Sequence, residues 1–424
     1  FDLARNASSD QGNNISLDDV RLLKKAENDM VRQLPTEIAL SGDFGAGSEK
    51  TWVRYRDSET KRSKTKDKGA TAYLRQWATT VQKQIREPDA PALDLPVFGY
   101  YGTGRLWAQK KLTESSKGVD DTLSADFYIR TFAYLNCLDP ASTYKHFKEW
   151  FTWASFVHIE QLMSHLAGKS TEEAVHSVEA PVLAVRNAID CFLRPITGWH
   201  SLEYSHSHEK SLVLRHPQLG TMKVEMLSDG IRSVLAMIGD IAYRCIRLNP
   251  HLGGEAPQKT EGVVLIDEID MHLHPHWQQV MIGQLREAFP KIQFIVTTHS
   301  PQVLTSVDAS CIRLLRQATD PETGTTVSEV APVTTQTRGV SSADLLARIM
   351  NVDPVPAVPE AQMLADYQAL IQQNLHDSDD GQALRTQLVK HFGAEHPVMR
   401  ECDRLIRLQG FKQRLPRTSR DSEG

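Results

Sequence analysis

The chain has 424 residues, of which 40% are hydrophobic and 24% are charged, and it carries a formal net charge of −5 at pH 7. These values are ordinary for a soluble globular protein with two or three domains. The acidic balance argues against a surface devoted entirely to nucleic acid, but it leaves room for a local basic groove.

The cysteine pattern and the hydropathy indicate the compartment. Five cysteines are scattered through the chain without C-x-x-C spacing, which argues against a disulfide framework or a zinc ribbon and favours a reducing compartment. The sequence shows neither an apolar run long enough to cross a bilayer nor a signal-peptide pattern at its start. We therefore predict a cytoplasmic protein without a membrane partner.

The first predicted elements surround a glycine-rich stretch, SGDFGAGSEKTWVRY at 41–55. A phosphate-binding loop requires G-x-x-x-x-G-K-[ST], so that backbone N–H groups wrap the phosphates and the lysine reaches the terminal ones. Counting from Gly42 brings Gly47 into place, but Ser48 follows it, and the lysine and threonine arrive two residues late. The alternating apolar residues around the glycines instead predict two strands and a turn, after a polar, partly helical lead-in over 1–40.

The next elements are a helix predicted at 71–87 and a buried strand at 95–105, LPVFGYYGTGR, which ends in a glycine loop. From about 119 to 195 the pattern is helical and has one apolar face. This face is formed by Phe147, Trp150, Phe151, Ala154 and Val157. Its aromatic rings could stack on bases, but packing in the core is the stronger interpretation.

Two apolar strands dominate the second half of the chain. Short alternating strands within 199–226 precede them, and a helix-length segment separates GVVLID at 262–267 from FIVTTHS at 294–300. This strand, helix, strand order predicts a parallel α/β sheet, in which functional groups collect at the carboxyl ends of the strands. A hairpin-like stretch follows to residue 333, and the remainder is predicted to be helical.

The strand ends carry the residues on which the chemistry depends. Asp267 and Glu268 follow the first apolar strand, and because successive strand residues point in opposite directions, one carboxylate can support a magnesium ion while the other addresses water. His299 ends the second strand, where an imidazole can contact a phosphate oxygen or the attacking water. LSDG at 227–230 offers a serine hydroxyl and a helix N-terminus to an anion. Each motif alone also fits a simpler role: a solvated loop, a surface histidine or an ordinary helix cap.

In this order the motifs resemble the elements of ABC-type ATPase heads. LSDG is similar to the signature, VVLIDE to the Walker B strand, DMHLHP at 270–275 to the D-loop region, and TTHSP to the switch histidine. The run DEIDMHLHPHWQ at 267–278, with YYGTGRLW at 100–107 upstream, resembles a soluble branch of this superfamily. That branch includes the overcoming-lysogenization-defect ATPases and the ATPase subunits of Septu and retron-associated anti-phage systems.

The resemblance implies an α/β fold: an ABC-type ATPase head with a mostly parallel sheet, antiparallel β hairpins, a helical insertion and a helical C-terminal tail. It divides the chain into four parts. These are the N-terminal part of the ATPase lobe with its hairpin insertion at 1–118, the helical insertion and strands at 119–226, the signature, Walker B and switch-histidine part at 227–340, and a partner-docking tail at 341–424. In the family the Walker A loop precedes such a hairpin, so we expect this loop to lie upstream of Phe1. The alternative is a chain that naturally lacks the loop.

The resemblance also implies the cofactors, ATP and Mg²⁺, and the site residues. Asp267 would hold the magnesium shell, Glu268 would activate water and His299 would contact the γ-phosphate. Further nucleotide contacts are expected from the signature, the D-loop region and the glycine loop. The residues concerned are Ser228, Asp229, Gly230, Asp270 and Arg105. The expected activity is Mg-dependent ATP hydrolysis, with which a low turnover is compatible.

The implied partners are a second copy, bound head to tail so that ATP is sandwiched between Walker A and the opposite signature, and an HNH nuclease subunit. A retron reverse transcriptase with its RNA and DNA is a further candidate, through which the complex would reach nucleic acid. Two alternatives stay open: a nucleotide-sensing scaffold with little hydrolysis, and an SMC- or RecF-like DNA repair ATPase. The latter predicts a long coiled coil, for which 105–227 is too short and too interrupted by Pro181 and Pro195.

Two remaining features have both a structural and a functional interpretation. His272, His274 and His276 could suggest a zinc cluster, but a strand-following loop seldom holds three ligands so close together. For histidines of the D-loop region, the resemblance implies a place at the dimer interface. The apolar stripes after 341 either pack on the protein itself or dock the nuclease, since this tail shows no strand-borne carboxylate set of its own. The stripes are Leu364, Tyr367, Leu370 and Ile371, and Met399, Cys402, Leu405, Ile406 and Leu408.

Overall fold

The structure is a computed structural model, and its described residues fall into two compact units, Phe1–Cys311 and Ile312–Gly424. The described ranges are 14–26, 29–43, 48–60, 65–104, 129–138, 143–319 and 326–414. Within these ranges, no helix combines the length and the apolar character needed to cross a bilayer. The fold class is α/β, as predicted.

The first unit contains eleven strands among its described residues. They are β1 (Leu22–Ala26), β2 (Asp29–Arg32), β3 (Thr36–Gly42), β4 (Lys50–Arg56), β5 (Lys66–Gly69), β6 (Val97–Tyr101), β7 (His200–Ser205), β8 (Ser211–His216), β9 (Gly220–Lys223), β10 (Gly262–Ile266) and β11 (Ile292–Val296). Strands β1-β2, β3-β4-β5 and β7-β8-β9 form antiparallel sheets, whereas β11-β10-β6 form a parallel sheet in that order. The strand pair predicted around the glycines of 41–55 is therefore confirmed as β3 and β4.

The first unit contains seven helices among its described residues. They are α1 (Thr71–Arg86), α2 (Thr143–Leu166), α3 (Glu172–Thr197), α4 (Asp229–Leu248), α5 (Ala256–Lys259), α6 (Pro275–Ala288) and α7 (Pro301–Leu304), with 3₁₀ turns at Arg130–Tyr134, Val224–Met226, Pro250–Glu255 and Ala309–Cys311. One continuous core joins α2, α3 and α4 to the sheet. The aromatic face predicted on α2 belongs to this core, because Phe147, Trp150 and Phe151 are fully buried.

The parallel sheet has two different faces. Val97, Val264 and Ile266 point into the core and are at most 2% exposed. On alternate positions, Leu265 is 39% exposed and Ile295 is 52% exposed. Because successive strand residues alternate between faces, the described residues bury one face of this sheet and leave the other partly open.

The second unit is a hairpin followed by helices. Strands β12 (Arg313–Thr319) and β13 (Thr326–Pro332) pair antiparallel, and they precede α8 (Ser342–Arg348), α9 (Pro359–Gln372), α10 (Asp379–Phe392) and α11 (Pro397–Arg414). The last three helices, hereafter the C-terminal bundle, share a small core of their own. Its buried members are Tyr367, Ile371, Leu388, Met399 and Cys402.

Two expectations about local structure are wrong. In the lead-in, the described residues from Leu22 to Arg32 pair as the hairpin of β1 and β2, while residues 1–13 of the partly helical prediction lie outside the described residues. Pro181 and Pro195 do not interrupt α3, which runs through both. Each proline removes only one N–H donor, and the packing of α3 against α4 offsets that loss. Strand β11 begins earlier than predicted and ends at Val296, so that residues 297–300 form a loop.

Candidate functional site

The parallel sheet brings the two predicted strand ends to one edge. Ile266 is in register with both Val296 and Tyr101, so β6, β10 and β11 end at the same level. Beyond that level, the Asp267 N–H donates to the Tyr101 carbonyl at 2.9 Å, and the Thr297 N–H donates to the Ile266 carbonyl at 3.0 Å. The loops that carry the carboxylates and the histidine therefore start side by side, as expected at the carboxyl edge of a parallel sheet.

Thr297 fixes the loop that follows β10. Its hydroxyl donates to Asp267 Oδ1 and accepts the Glu268 N–H at 2.9 Å. The Ile269 N–H in turn donates to the Thr297 carbonyl at 3.0 Å. A single threonine thus holds the carboxylate of Asp267 and the backbone of the two residues after it. The sequence interpretation missed this role, although Thr297 lies only two positions before the singled-out histidine.

Glu268 occupies an unusual backbone conformation. Its φ is +45°, a left-handed value that non-glycine residues seldom adopt. Such a conformation is unfavourable by on the order of 1–3 kcal/mol and is concentrated at functional sites. The turn is closed by the Met271 N–H, which donates to the Glu268 carbonyl at 3.0 Å. The half-buried Glu268 is therefore placed by a strained turn directly after the strand, rather than by a relaxed solvated loop.

A second hydrogen-bond chain ties the D-loop region to the end of β11. The Thr298 hydroxyl donates to Asp270 Oδ1 and accepts the Ser300 N–H at 3.0 Å. The Ser300 hydroxyl donates to Gln278 Oε1 at 2.6 Å, and the Gln278 amide donates to the Leu273 carbonyl at 2.8 Å. Asp270, predicted to contact nucleotide, thus has a described partner within the protein. Thr298 and Gln278 are further positioning residues that the sequence did not reveal.

His299 lies between two anchored residues and is itself exposed. Thr298 and Ser300 are held by the bonds just described, whereas the His299 imidazole has no hydrogen bond to any residue in the described ranges. A ring placed in this way keeps both nitrogens available to a ligand at the carboxyl edge. The phosphate contact of His299 stays a prediction.

The LSDG segment forms the start of α4 but does not cap it in the ordinary way. Ser228 occupies the N-cap position in an extended conformation, yet its exposed side chain accepts no bond from the helix. Asp229 pairs with Arg232, and Gly230 is buried. A Cβ on Gly230 would lie 2.5 Å from the carbonyl oxygen of His272, so only glycine allows this approach of the helix to the D-loop region. The structure therefore brings LSDG and the segment after β10 together within one chain.

The three histidines after β10 do not converge. His272 is exposed with φ of +62°, and His274 caps α6 by accepting the His276 N–H on its Nδ1 at 3.3 Å. Across the described ranges, no group of three or more His, Cys, Asp or Glu side chains is arranged to hold a metal ion. His274 therefore has a structural role in starting α6.

Other predicted positions lie elsewhere. Arg105 falls outside the described residues, whereas Gly102 and Gly104, which follow β6, lie within them. One G-K-S tripeptide occurs in the printed sequence, at Gly168, but the position five residues earlier is Met163, and the tripeptide forms the turn between α2 and α3. It does not follow a strand, as a phosphate-binding loop must.

Comparison with known proteins gives the class of protein to which this sheet edge and its loops belong. Residues 200–305 match the family model described as "AAA domain, putative AbiEii toxin, Type IV TA system". This range contains the LSDG segment, both strand ends and the loop of His299. The chain therefore carries a region of an AAA-type ATPase domain.

Individual relatives carry more specific names than the family model does. The chain is 37% identical over 182 residues to the retron Ec83 probable ATPase of Escherichia coli, which is 43% of this chain and 31% of that protein. It is 48% identical over 79 residues to the Septu protein PtuA of Bacillus mycoides (strain KBAB4), or 19% of this chain and 10% of that protein. The chain thus matches less than a third of the length of these relatives.

Among solved structures, one similar chain is an SMC head bound to the C-winged helix domain of ScpA. The sequence identity is 14%, the TM-score is 0.40, and the match covers 72% of this chain and 77% of that one.

Proposed function

We propose that this protein is the ATPase subunit of an anti-phage defence complex of the Septu or retron-associated type. In this proposal it binds and hydrolyses ATP in a head-to-tail homodimer and controls an associated HNH nuclease. The observation that carries the proposal is the shared edge of the parallel sheet, where Asp267, Glu268 and His299 stand on loops held by Thr297 and Thr298. The AAA match over the same residues and the names of the relatives support it.

The residues at this edge fit ATP with Mg²⁺. A carboxylate beside a threonine hydroxyl is an oxygen donor set, which magnesium prefers, and magnesium bound there would neutralise phosphate charge. Asp267 would support the ion, and the Thr297 hydroxyl keeps that carboxylate in place. Glu268, presented by its strained turn, would accept a proton from the attacking water. His299 would contact the γ-phosphate.

The start of α4 supports the dimeric arrangement. Gly230 packs on the D-loop region of its own chain, whereas the Ser228 hydroxyl makes no bond to its own helix. The first N–H groups of α4 lack a side-chain cap and carry the positive end of the helix dipole, which attracts an anion. In our proposal Ser228, Asp229 and Gly230 cap the ATP held by the partner subunit. Asp270 and Arg105 would lie near the nucleotide.

Steady-state ATP hydrolysis by the full-length protein tests this assignment. Glu268→Gln keeps the size of the side chain but removes the proton acceptor, so we expect turnover to fall by about a hundredfold or more with little change in ATP binding. Glu261→Gln is the matched control, because Glu261 is exposed at the opposite end of the same strand. If the wild-type protein binds ATP but its turnover equals that of Glu268→Gln, the nucleotide-sensing scaffold replaces the hydrolase.

The packing of the C-terminal bundle bears on where a nuclease would dock, because the predicted docking stripes face its interior. Both predicted apolar stripes contribute to its internal core, with Tyr367 and Ile371 from one and Met399 and Cys402 from the other fully buried. A partner must therefore use another face. A groove of about 500 Å³ lies on the bundle. It is lined by Asp366, Ala369, Leu370, Asp380, Ala383, Leu384 and Gln387.

We place the HNH nuclease on this groove through a basic segment, since both charged lining residues are acidic and four of the other five lining residues are apolar. Co-purification with the nuclease tests this placement. Asp366→Lys combined with Asp380→Lys should release the nuclease, whereas Glu395→Lys combined with Glu401→Lys, which adds the same charge on the bundle outside the groove lining, should retain it. Equal retention by both variants would move the docking site elsewhere. Association with a retron reverse transcriptase and its nucleic acid, and residence in the cytoplasm, belong to the same proposal.

A further inference from the structure

A buried polar network lies behind the carboxyl edge of the sheet. The Tyr101 hydroxyl donates to Asp240 Oδ2 at 2.8 Å, and the Arg244 Nε donates to the same oxygen at 2.7 Å. All three residues are at most 1% exposed. Tyr101 is the last residue of β6, while Asp240 and Arg244 belong to α4, so the network joins the sheet to the helix that begins with LSDG.

The network extends to a third segment. Arg244 Nη1 donates to the Ala133 carbonyl and, at 3.2 Å, to the Leu135 carbonyl. The same segment returns to the sheet, because the Tyr100 N–H donates to the Cys137 carbonyl at 2.8 Å. Strand β6, helix α4 and residues 130–137 are therefore closed into one hydrogen-bonded ring in the core.

Burying these charged and polar groups carries a large desolvation penalty. Burial, and then the charge of Asp240, raise the pKa of Tyr101 well above its ordinary value, so its hydroxyl stays protonated. Burial acts to lower the pKa of Arg244, but the neighbouring groups, Asp240 first, raise it by more. The pKa of Arg244 therefore lies above its ordinary value, and the guanidinium stays charged. Asp240 Oδ1 and Arg244 Nη2 have no hydrogen-bond partner among the described residues. A buried ion pair of this kind is often no more stabilising than apolar residues of similar volume, so stability alone does not explain its presence.

Tyr101 contacts both halves of the candidate site. Its carbonyl accepts the Asp267 N–H, while its hydroxyl binds α4, whose first turn holds Ser228 and Gly230. We infer that Tyr101 is a positioning residue, which acts through Asp240 and Arg244 to fix α4, and with it Ser228, relative to Asp267. This inference rests on the proposed function for its consequence in catalysis, but the coupling itself is independent of nucleotide.

The test compares two buried tyrosines. Tyr101→Phe removes the hydroxyl that reaches α4. Tyr134→Phe is the matched control, because Tyr134 is equally buried and its hydroxyl donates to the Pro96 carbonyl at 2.6 Å rather than to a residue of α4. Asp240→Asn is a second variant that keeps the side-chain shape and removes the charge.

The first measurement is hydrogen–deuterium exchange on the full chain without nucleotide. In Tyr101→Phe and Asp240→Asn we expect faster exchange both in 229–239 and in 262–272, while Tyr134→Phe leaves both segments unchanged. The second measurement is ATP hydrolysis by the full-length protein, where Tyr101→Phe should lower kcat about tenfold and leave KM within about twofold, as a coupling residue does.

The two measurements distinguish a failure of the proposed ATPase function from a failure of the inference about Tyr101. If wild-type turnover does not exceed that of Glu268→Gln, the proposed function fails, and the exchange data still decide the coupling. If exchange in Tyr101→Phe and Asp240→Asn matches that in Tyr134→Phe, or rises in 229–239 without a rise in 262–272, Tyr101 is only a core tyrosine and the inference is overturned.

Discussion

Helix α4 (Asp229–Leu248) and helix α11 (Pro397–Arg414) have similar lengths, 20 and 18 residues, but opposite environments. In α4 every residue except Asp229, Arg232 and Arg247 is buried. In α11 only Met399 and Cys402 are buried among the described side chains. In α11, Arg404 pairs with Glu401 at the surface, whereas α4 carries the ion pair of Arg244 and Asp240 into the core. Because a buried charge is tolerated only with partners in place, α4 depends on its surroundings far more than α11 does.

The largest difference in unfolding free energy between the two helices is expected when one arginine is removed from each. Arg244→Met leaves Asp240 as an unpaired buried charge, so the free energy of unfolding of the first unit should fall by about 3–5 kcal/mol. Arg404→Met, which removes an exposed cation of α11, should cause no measurable change. Urea denaturation followed by tryptophan fluorescence measures the first variant, because all seven tryptophans precede residue 312. Equal stability of the Arg244→Met variant and wild type would mean that α4 tolerates the loss.

A smaller difference is expected from adding one methyl group to each helix. Gly230→Ala forces a Cβ to within 2.5 Å of the His272 carbonyl, and the resulting backbone shift should destabilise the first unit by about 1–3 kcal/mol. Gly410→Ala meets no atom within 4 Å, so α11 should gain about 0.5–1 kcal/mol. Thermal unfolding followed by circular dichroism compares the two variants. A Gly230→Ala variant as stable as wild type would show that α4 can move away from the D-loop region.

The smallest difference concerns two serines at helix starts. Ser378 accepts the Gly381 N–H at 3.2 Å at the start of α10 in the C-terminal bundle, so Ser378→Ala should lower stability by about 1 kcal/mol. Ser228 makes no such bond, so Ser228→Ala should leave the unfolding transition unchanged. In the proposed head-to-tail dimer, the same change should weaken association in the presence of ATP. Denaturation curves and light scattering with ATP check the pair. If Ser228→Ala is less stable than wild type, this serine acts as an ordinary helix cap.

Much of the site could be predicted from local sequence. The apolar run of β10 followed by two carboxylates, the strand before His299 and the serine before α4 are short patterns whose periodicity and ends are visible in the letters. Strands and helix starts of this kind depend on neighbouring residues, so the structure reproduces β10 and the start of α4 to within one residue. Strand β11 begins two residues earlier and ends four residues earlier than predicted. The interruption of α3 by Pro181 and Pro195 was wrong for the opposite reason, because contacts with distant α4 outweigh a local preference.

The sequence by itself determined the classes of element, the order of the motifs and the residue types available for phosphate, metal and water. Only the tertiary structure decided which of these residues are held and which stay open. It assigned Thr297 to Asp267, Thr298 to Asp270 and Tyr101 to Asp240. The physical reason is that such hydrogen bonds join residues 28 to 139 positions apart, and their partners are chosen by sheet register and helix packing rather than by spacing along the chain.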